Sequence, residues 1–257
     1  MYWNVSLPTP SKAGNAAEDY SRSLRSVASR LRDRHIHAAS EMHKMLPLSD
    51  EEIQGVVEGS QKKASAFSSE HEFIAMPEDV DGFYTLTIQT LVEGLLERAQ
   101  RFQDQGKMFE ATYLFQILII FGWHLKNEQQ KLVQCLAGIV TGFAGWESLR
   151  SFYRRQGLVE QALTCQSYVD EECRKFEAMI QKSQRIRLDR EFAKLVLRQD
   201  EAAMWRRYTA LFLGAHPDEA NSGQLPLLEQ AAQQDPDEDV RRIAGRWTNR
   251  LRHETAA

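Results

Sequence analysis

Apolar residues recur along most of this chain at steps of three and four, the spacing of a helix with one face turned inward. Tyr20, Leu24, Val27, Leu31, Ala38, Met42 and Met45 keep that step, which predicts a first helix over about 16–45, ended by Pro47. Ser49-Asp50-Glu51-Glu52 opens a second helix as a capping box, in which the serine oxygen and the Glu52 carboxylate each satisfy an orphan backbone amide. Its stripe is Ile53, Val56, Val57, Ala64 and Phe67, and Pro77 and Gly82 then break the pattern. A helix carrying Phe83, Leu86, Leu91, Leu95, Ala99 and Phe102 stops at Gly106, and the next, 108–126, is apolar nearly all round and should be the central buried helix. Helices over 128–155, from Leu158 onward, and over 189–198 and 201–213 follow. The segment 214–223 reads as a loop, and a short pair over 225–233 and 237–252 closes the chain. No long alternation of apolar and polar residues interrupts this pattern. The expectation is an all-α chain, an α-solenoid-like array of antiparallel helical hairpins, divided into 1–80, 81–214 and 215–257.

Two stretches repeat a pattern. One reads Leu95-x3-Ala99-x2-Phe102-x3-Gly106-x4-Ala111-x3-Phe115; the other reads Trp146-x2-Leu149-x3-Tyr153-x3-Gly157-x4-Ala162. Large residues on a first helix receive a small alanine from a second, with glycine at the corner. The stretch 83–180 thus resembles the tetratricopeptide repeat, although its two glycines lie 51 residues apart and the consensus repeat is about 34 residues long. Gln166 stands where the second copy should have an aromatic residue, and neither copy ends in proline. The tail, Leu225-Pro226-Leu227-Leu228-x2-Ala231-x3-Asp235-Pro236-x3-Val240-Arg241-x2-Ala244, is similar to a single HEAT unit, with Leu251 as its later leucine. One such unit cannot bury its own face, so it should cap the preceding helices.

These resemblances imply a protein-binding scaffold, and only by analogy, since fold does not fix function. In tetratricopeptide proteins the ligand lies against the first helices of successive repeats. Carried onto this chain, that face comprises Glu93, Leu96, Gln100 and Gln103, then Ala144, Glu147, Ser151 and Arg154. The partner expected is a protein or peptide, with no small-molecule substrate and no cofactor, and nucleic acid ranks last among the alternatives. Three rivals stay open: a secretion-type tetratricopeptide chaperone, the soluble domain of a membrane-anchored envelope protein, and a HEAT-like nucleic-acid binder using Arg241, Arg242, Arg246, Arg250 and Arg252.

Composition narrows the field further. The balance of 32 basic and 36 acidic residues, net −4, offers no general basic footprint for nucleic acid. Cys135, Cys165 and Cys173 form no CxxC and read as free buried thiols. The longest uncharged runs, 111–123 and 132–146, fall short of the roughly 18 residues of a membrane span, so the chain reads as soluble. His35, His37, Glu41 and His43 are the densest metal-capable cluster but read as a solvated face. Arg22, Arg25, Arg30, Arg32 and Arg34 give the first helix a basic side able to lie on anionic lipid or meet an acidic partner. The basic stretch 182–198 reads as solvated surface. Gly138 and Gly142 read as a smooth face for the 108–126 helix, and Trp123, Trp146, Trp205 and Trp247 as core. No pairing of nucleophile with base suggests an enzyme.

Overall fold

The computed structural model describes residues 7–36, 41, 47–65, 81–127, 132–216 and 224–255. Among them the fold is all-α, ten helices with one small two-stranded sheet. The residues form two compact units, 1–128 with 133–176, and 129–132 with 177–257.

In the first unit β1 (Lys12–Asn15) leads into α1 (Ala16–Asp33), whose N-cap Asn15 accepts a hydrogen bond from the Ala17 amide. α1 buries Ala17, Tyr20, Leu24, Val27, Ala28 and Leu31 along one face. It ends well before the expected Met45. His35 takes a left-handed φ of +55° and the Ile36 amide returns to the Leu31 carbonyl, closing the helix as a Schellman turn while Ile36 enters the core. Ala38, Met42, Met45 and Phe67 lie outside the described residues.

α2 (Asp50–Ser60) starts at the expected capping box: Ser49 Oγ accepts from the Glu52 amide at 3.2 Å, and Glu52 Oε2 accepts from the Ser49 amide at 2.8 Å. The structure adds a second use of Glu52. Its buried Oε1 accepts from Ser26 Oγ at 2.9 Å and pairs with Arg30 Nε at 3.0 Å, so the cap also binds α2 to α1. The chain then forms β2 (Lys62–Ala64), parallel to β1 with Lys12 opposite Lys62.

Two hairpins follow, α3 (Asp81–Asp104) with α4 (Met108–Asn127), and α5 (Leu132–Arg155) with α6 (Val159–Leu188). Gly106 and Gly157 turn the corners at φ of +73° and +71°, a conformation costly for residues with a Cβ. α4 is the central helix: Ala111, Leu114, Phe115, Ile117, Leu118, Ile119, Ile120, Phe121 and Leu125 are all buried. Trp123 on the same helix is 44% exposed, correcting its reading as core.

α4 meets α5 backbone to backbone. A Cβ built on Gly122 would lie 2.5 Å from the Gly138 carbonyl oxygen and 2.5 Å from the Gly142 nitrogen, and one on Gly138 would lie 2.7 Å from the Gly122 oxygen. The close packing expected here is present at Gly138, with Gly122 as its counterpart; α4 also approaches the Gly142 backbone, but a Cβ on Gly142 would meet only Glu172 Cδ at 4.0 Å. Counted whole, 108–126 and 132–155 are long and apolar enough to cross a membrane, unlike the uncharged runs they contain, yet most of each apolar window is buried inside the structure.

The second unit takes the later part of α6, then α7 (Arg190–Gln199) with α8 (Ala203–Ala215), and α9 (Gln224–Gln234) with α10 (Glu238–Thr255). α10 packs on both α9 and α8, and α7 on α9, so the terminal pair stacks on the hairpin before it. Leu227, Leu228, Ala231, Val240, Ala244 and Leu251 are buried, as the tail pattern requires. Trp247 lies flat over Gly214, where a Cβ would stand 2.1 Å from its Cγ. Cys173, expected to be buried, is exposed, whereas Cys135 and Cys165 are buried.

Candidate partner-binding face

The sequence-based face falls on α3 and α5, the first helices of the two hairpins. Glu93, Gln100 and Arg154 are exposed; Leu96, Gln103, Ala144, Glu147 and Ser151 are half-buried. Neighbours on the same helix tie several of them down. Gln89 donates to Glu93 Oε1 and Gln100 to Asp104 Oδ1, each at 2.8 Å, and Arg150 donates to Glu147 Oε1 at 2.5 Å. One bond joins the two helices: Arg155 Nη2 donates to Gln103 Oε1 at 2.7 Å. The other half of that amide, Gln103 Nε2, is buried without a partner. This bond brings the C-terminal ends of α3 and α5 within side-chain reach of each other, with Arg154 next to Arg155 in the chain.

Beside this junction is a surface cleft of about 220 Å³ lined by Arg98, Arg101, Phe102, Gln105 and Lys107. The turn at Gly106 returns the Lys107 amide to the Phe102 carbonyl and sets the Lys107 ammonium 5.6 Å from the Phe102 ring, with Arg98 at 5.3 Å from the same ring. Arg98 pairs with Asp50 and Arg101 with Glu97 in exposed ion pairs, which are worth little in water.

Gln166 accepts from Arg150 and donates to Asp170, while Tyr168 stacks on Trp146 with centroids 4.2 Å apart.

Among the other candidates, His37 and His43 lie outside the described residues, and no three metal-capable side chains converge among the described ones. In the first helix, Arg30 is bonded to Glu52, Arg22 to Asp19 and Glu58, and Arg32 lies over Phe83. On α10, Arg241 donates to the Asp235 carbonyl, Arg242 pairs with Asp239, Arg252 with Glu229, and Arg250 lies over Trp247.

Two buried polar centres escaped sequence reasoning. Tyr20 Oη and His124 Nδ1 form a 2.7 Å hydrogen bond between α1 and α4. Burial pushes the His124 pKa down to about 4 and, together with the nearby Asp19 charge, raises that of Tyr20. Neither residue is open to a substrate, so the pair serves the core. In the second unit Arg206 Nε and Nη2 grip the Asp235 carboxylate at 2.9 and 3.1 Å, and Arg207 grips Asp237 at 2.8 and 2.6 Å. Asp235 and Asp237 in turn accept the Asp237 and Val240 amides, fixing the turn into α10. No family model matches the chain, and no curated protein or solved structure matches it either.

Proposed function

We propose that this protein is a non-enzymatic interaction scaffold that holds a peptide or helix across the α3 and α5 face. The Arg155–Gln103 bond is the observation that carries the reading, because it links the ends of the two first helices on which the face lies. In this reading, the exposed Gln100 and Arg154 meet backbone carbonyls and carboxylates of the partner, Gln103 helps to hold the two helix ends together, and Leu96 supplies an apolar contact. The tetratricopeptide-like and HEAT-like resemblances, and the solenoid-like arrangement they imply, belong to this proposal. It is tested by affinity capture with the full chain, wild type beside Gln100→Ala/Gln103→Ala/Arg154→Ala, from the lysate of the source cell. A defined protein held by the wild type and lost from the variant is the expected result. Equal retention by both proteins, or recovery of nucleic acid alone, overturns the reading.

A further inference from the structure

We propose that the corner between α6 and α7 is a contact point for an anionic phospholipid surface. The stretch 182–198 reads from sequence as solvated, but its cations are not loose. Arg185 lies 3.9 Å from the centroid of Phe192, Arg187 5.8 Å from that of Tyr208, and Arg190 5.0 Å from that of Phe212. Two of these arginines are further locked: Arg187 Nε donates to Tyr208 Oη at 2.6 Å, which places it at the hydroxyl end of that ring, and Arg190 Nη2 donates to the His216 carbonyl at 2.7 Å. An arginine anchored against an aromatic residue has already lost much of its rotamer freedom; Arg185 and Arg187 remain exposed, where a phosphate can reach them, whereas Arg190 Nη1 is buried.

Leu188 stands among these three arginines with 86% of its surface exposed, the largest exposure of any large apolar residue described. It occupies the last position of α6, immediately before Asp189, where the chain turns into α7. The acids of the corner are committed elsewhere. Asp189 caps α7 by accepting the Phe192 amide at 2.9 Å and reaches Arg185 only at 3.9 Å, and Glu191 is paired with Lys194 at 2.7 Å. Among the described residues, neither Arg187 nor Arg190 forms an ion pair with a carboxylate.

An exposed apolar side chain with three arginines within three residues of it in the chain matches the layered chemistry of a bilayer interface, with acyl chains below and phosphates at the level of the cations. Single-stranded nucleic acid fits less well, because arginines already lie against the Phe192 and Phe212 rings on which bases would stack. A duplex draws on a broader run of cations than this corner offers. Each cation near an anionic leaflet raises partitioning about fivefold, so this corner gives weak, reversible attachment.

The test uses the full chain in vesicle co-sedimentation, with vesicles of phosphatidylcholine alone or with about one third phosphatidylserine. The wild type should bind the anionic vesicles, lose binding at about 0.5 M salt, where screening is strong, and ignore the neutral ones. Arg187→Gln should weaken binding about fivefold, and Leu188→Ser about tenfold for loss of the apolar contact. Both side chains are exposed, so far-UV circular dichroism should stay unchanged. No binding to anionic vesicles, equal binding to both vesicle types, or wild-type binding by both variants overturns the proposal. So does a fluorescent single-stranded RNA bound more tightly than the vesicles and lost in the same variants.

Discussion

Tyr20 and His124, 104 residues apart in the chain, share a 2.7 Å hydrogen bond with both side chains almost wholly buried. Burial favours the neutral imidazole and holds its folded pKa near 4, against about 6.5 when unfolded. The unfolded chain therefore binds the extra proton first as pH falls. Stability from this site is fully present above about pH 6.5 and declines as pH drops towards 4, by up to about 3 kcal/mol. Urea denaturation between pH 4 and 7 measures the slope. His124→Leu should flatten it, and an unchanged slope in that variant would assign the acid sensitivity to other groups.

Tyr20→Phe removes the hydroxyl and keeps the ring, which packs 4.6 Å from Phe121. It leaves His124 with Nδ1 unpaired as well as Nε2, which already has no partner. A loss of about 1–3 kcal/mol is expected, read as a lower denaturation midpoint at constant m-value.

The α4–α5 contact makes three glycines behave differently on substitution. Gly122→Ala and Gly138→Ala would drive a methyl group into the facing backbone and should cost about 3 kcal/mol, outweighing the roughly 1 kcal/mol that alanine adds in helix propensity. At Gly142 a Cβ meets nothing nearer than Glu172 Cδ at 4.0 Å. Gly142→Ala should therefore be neutral or stabilise by up to about 1 kcal/mol. Thermal melts of the three variants give the comparison, and equal losses at all three would contradict the glycine seam.

Arg206→Ala would strand Asp235 in a buried site and should cost about 3–5 kcal/mol. Arg207→Ala should cost less, since its pair with Asp237 is nearer the surface. The Arg207 hydrogen bond holds the Asp237 carboxyl below its ordinary pKa. That stabilisation is present above about pH 4, the unfolded value, and is lost as pH falls through the lower folded value. Denaturation of both variants at pH 7 and pH 3 should show the Arg207→Ala deficit shrinking at pH 3.

The thiols should separate cleanly. Cys173 is exposed, while Cys135 and Cys165 are buried and burial pushes the Cys165 thiol up to about 12. A thiol reagent at pH 8 should modify one cysteine rapidly and the other two only after denaturation, and Cys173→Ser should abolish the fast phase.

The sequence by itself determined the helices, because their signals are local. Three- and four-residue apolar spacing, the Ser49–Glu52 box, and Gly106 and Gly157 each act within a few residues of backbone. The candidate face on α3 and α5 was legible as positions along two helices, but the Arg155–Gln103 junction between them was not. β1 and β2 escaped notice because strands of three or four residues carry almost no period. Tertiary structure decided everything that depends on a partner distant in the chain. It turned α1 out of its helix at His35 so that Ile36 could be buried, and it paired Tyr20 with His124 and Gly122 with Gly138. It left Trp123 and Cys173 at the surface of helices whose stripes include them, and set Arg185, Arg187 and Arg190 against aromatic residues of α7 and α8. Periodicity shows which side of a helix is apolar; only packing decides how much of that side another element covers, and which polar atoms are buried with it.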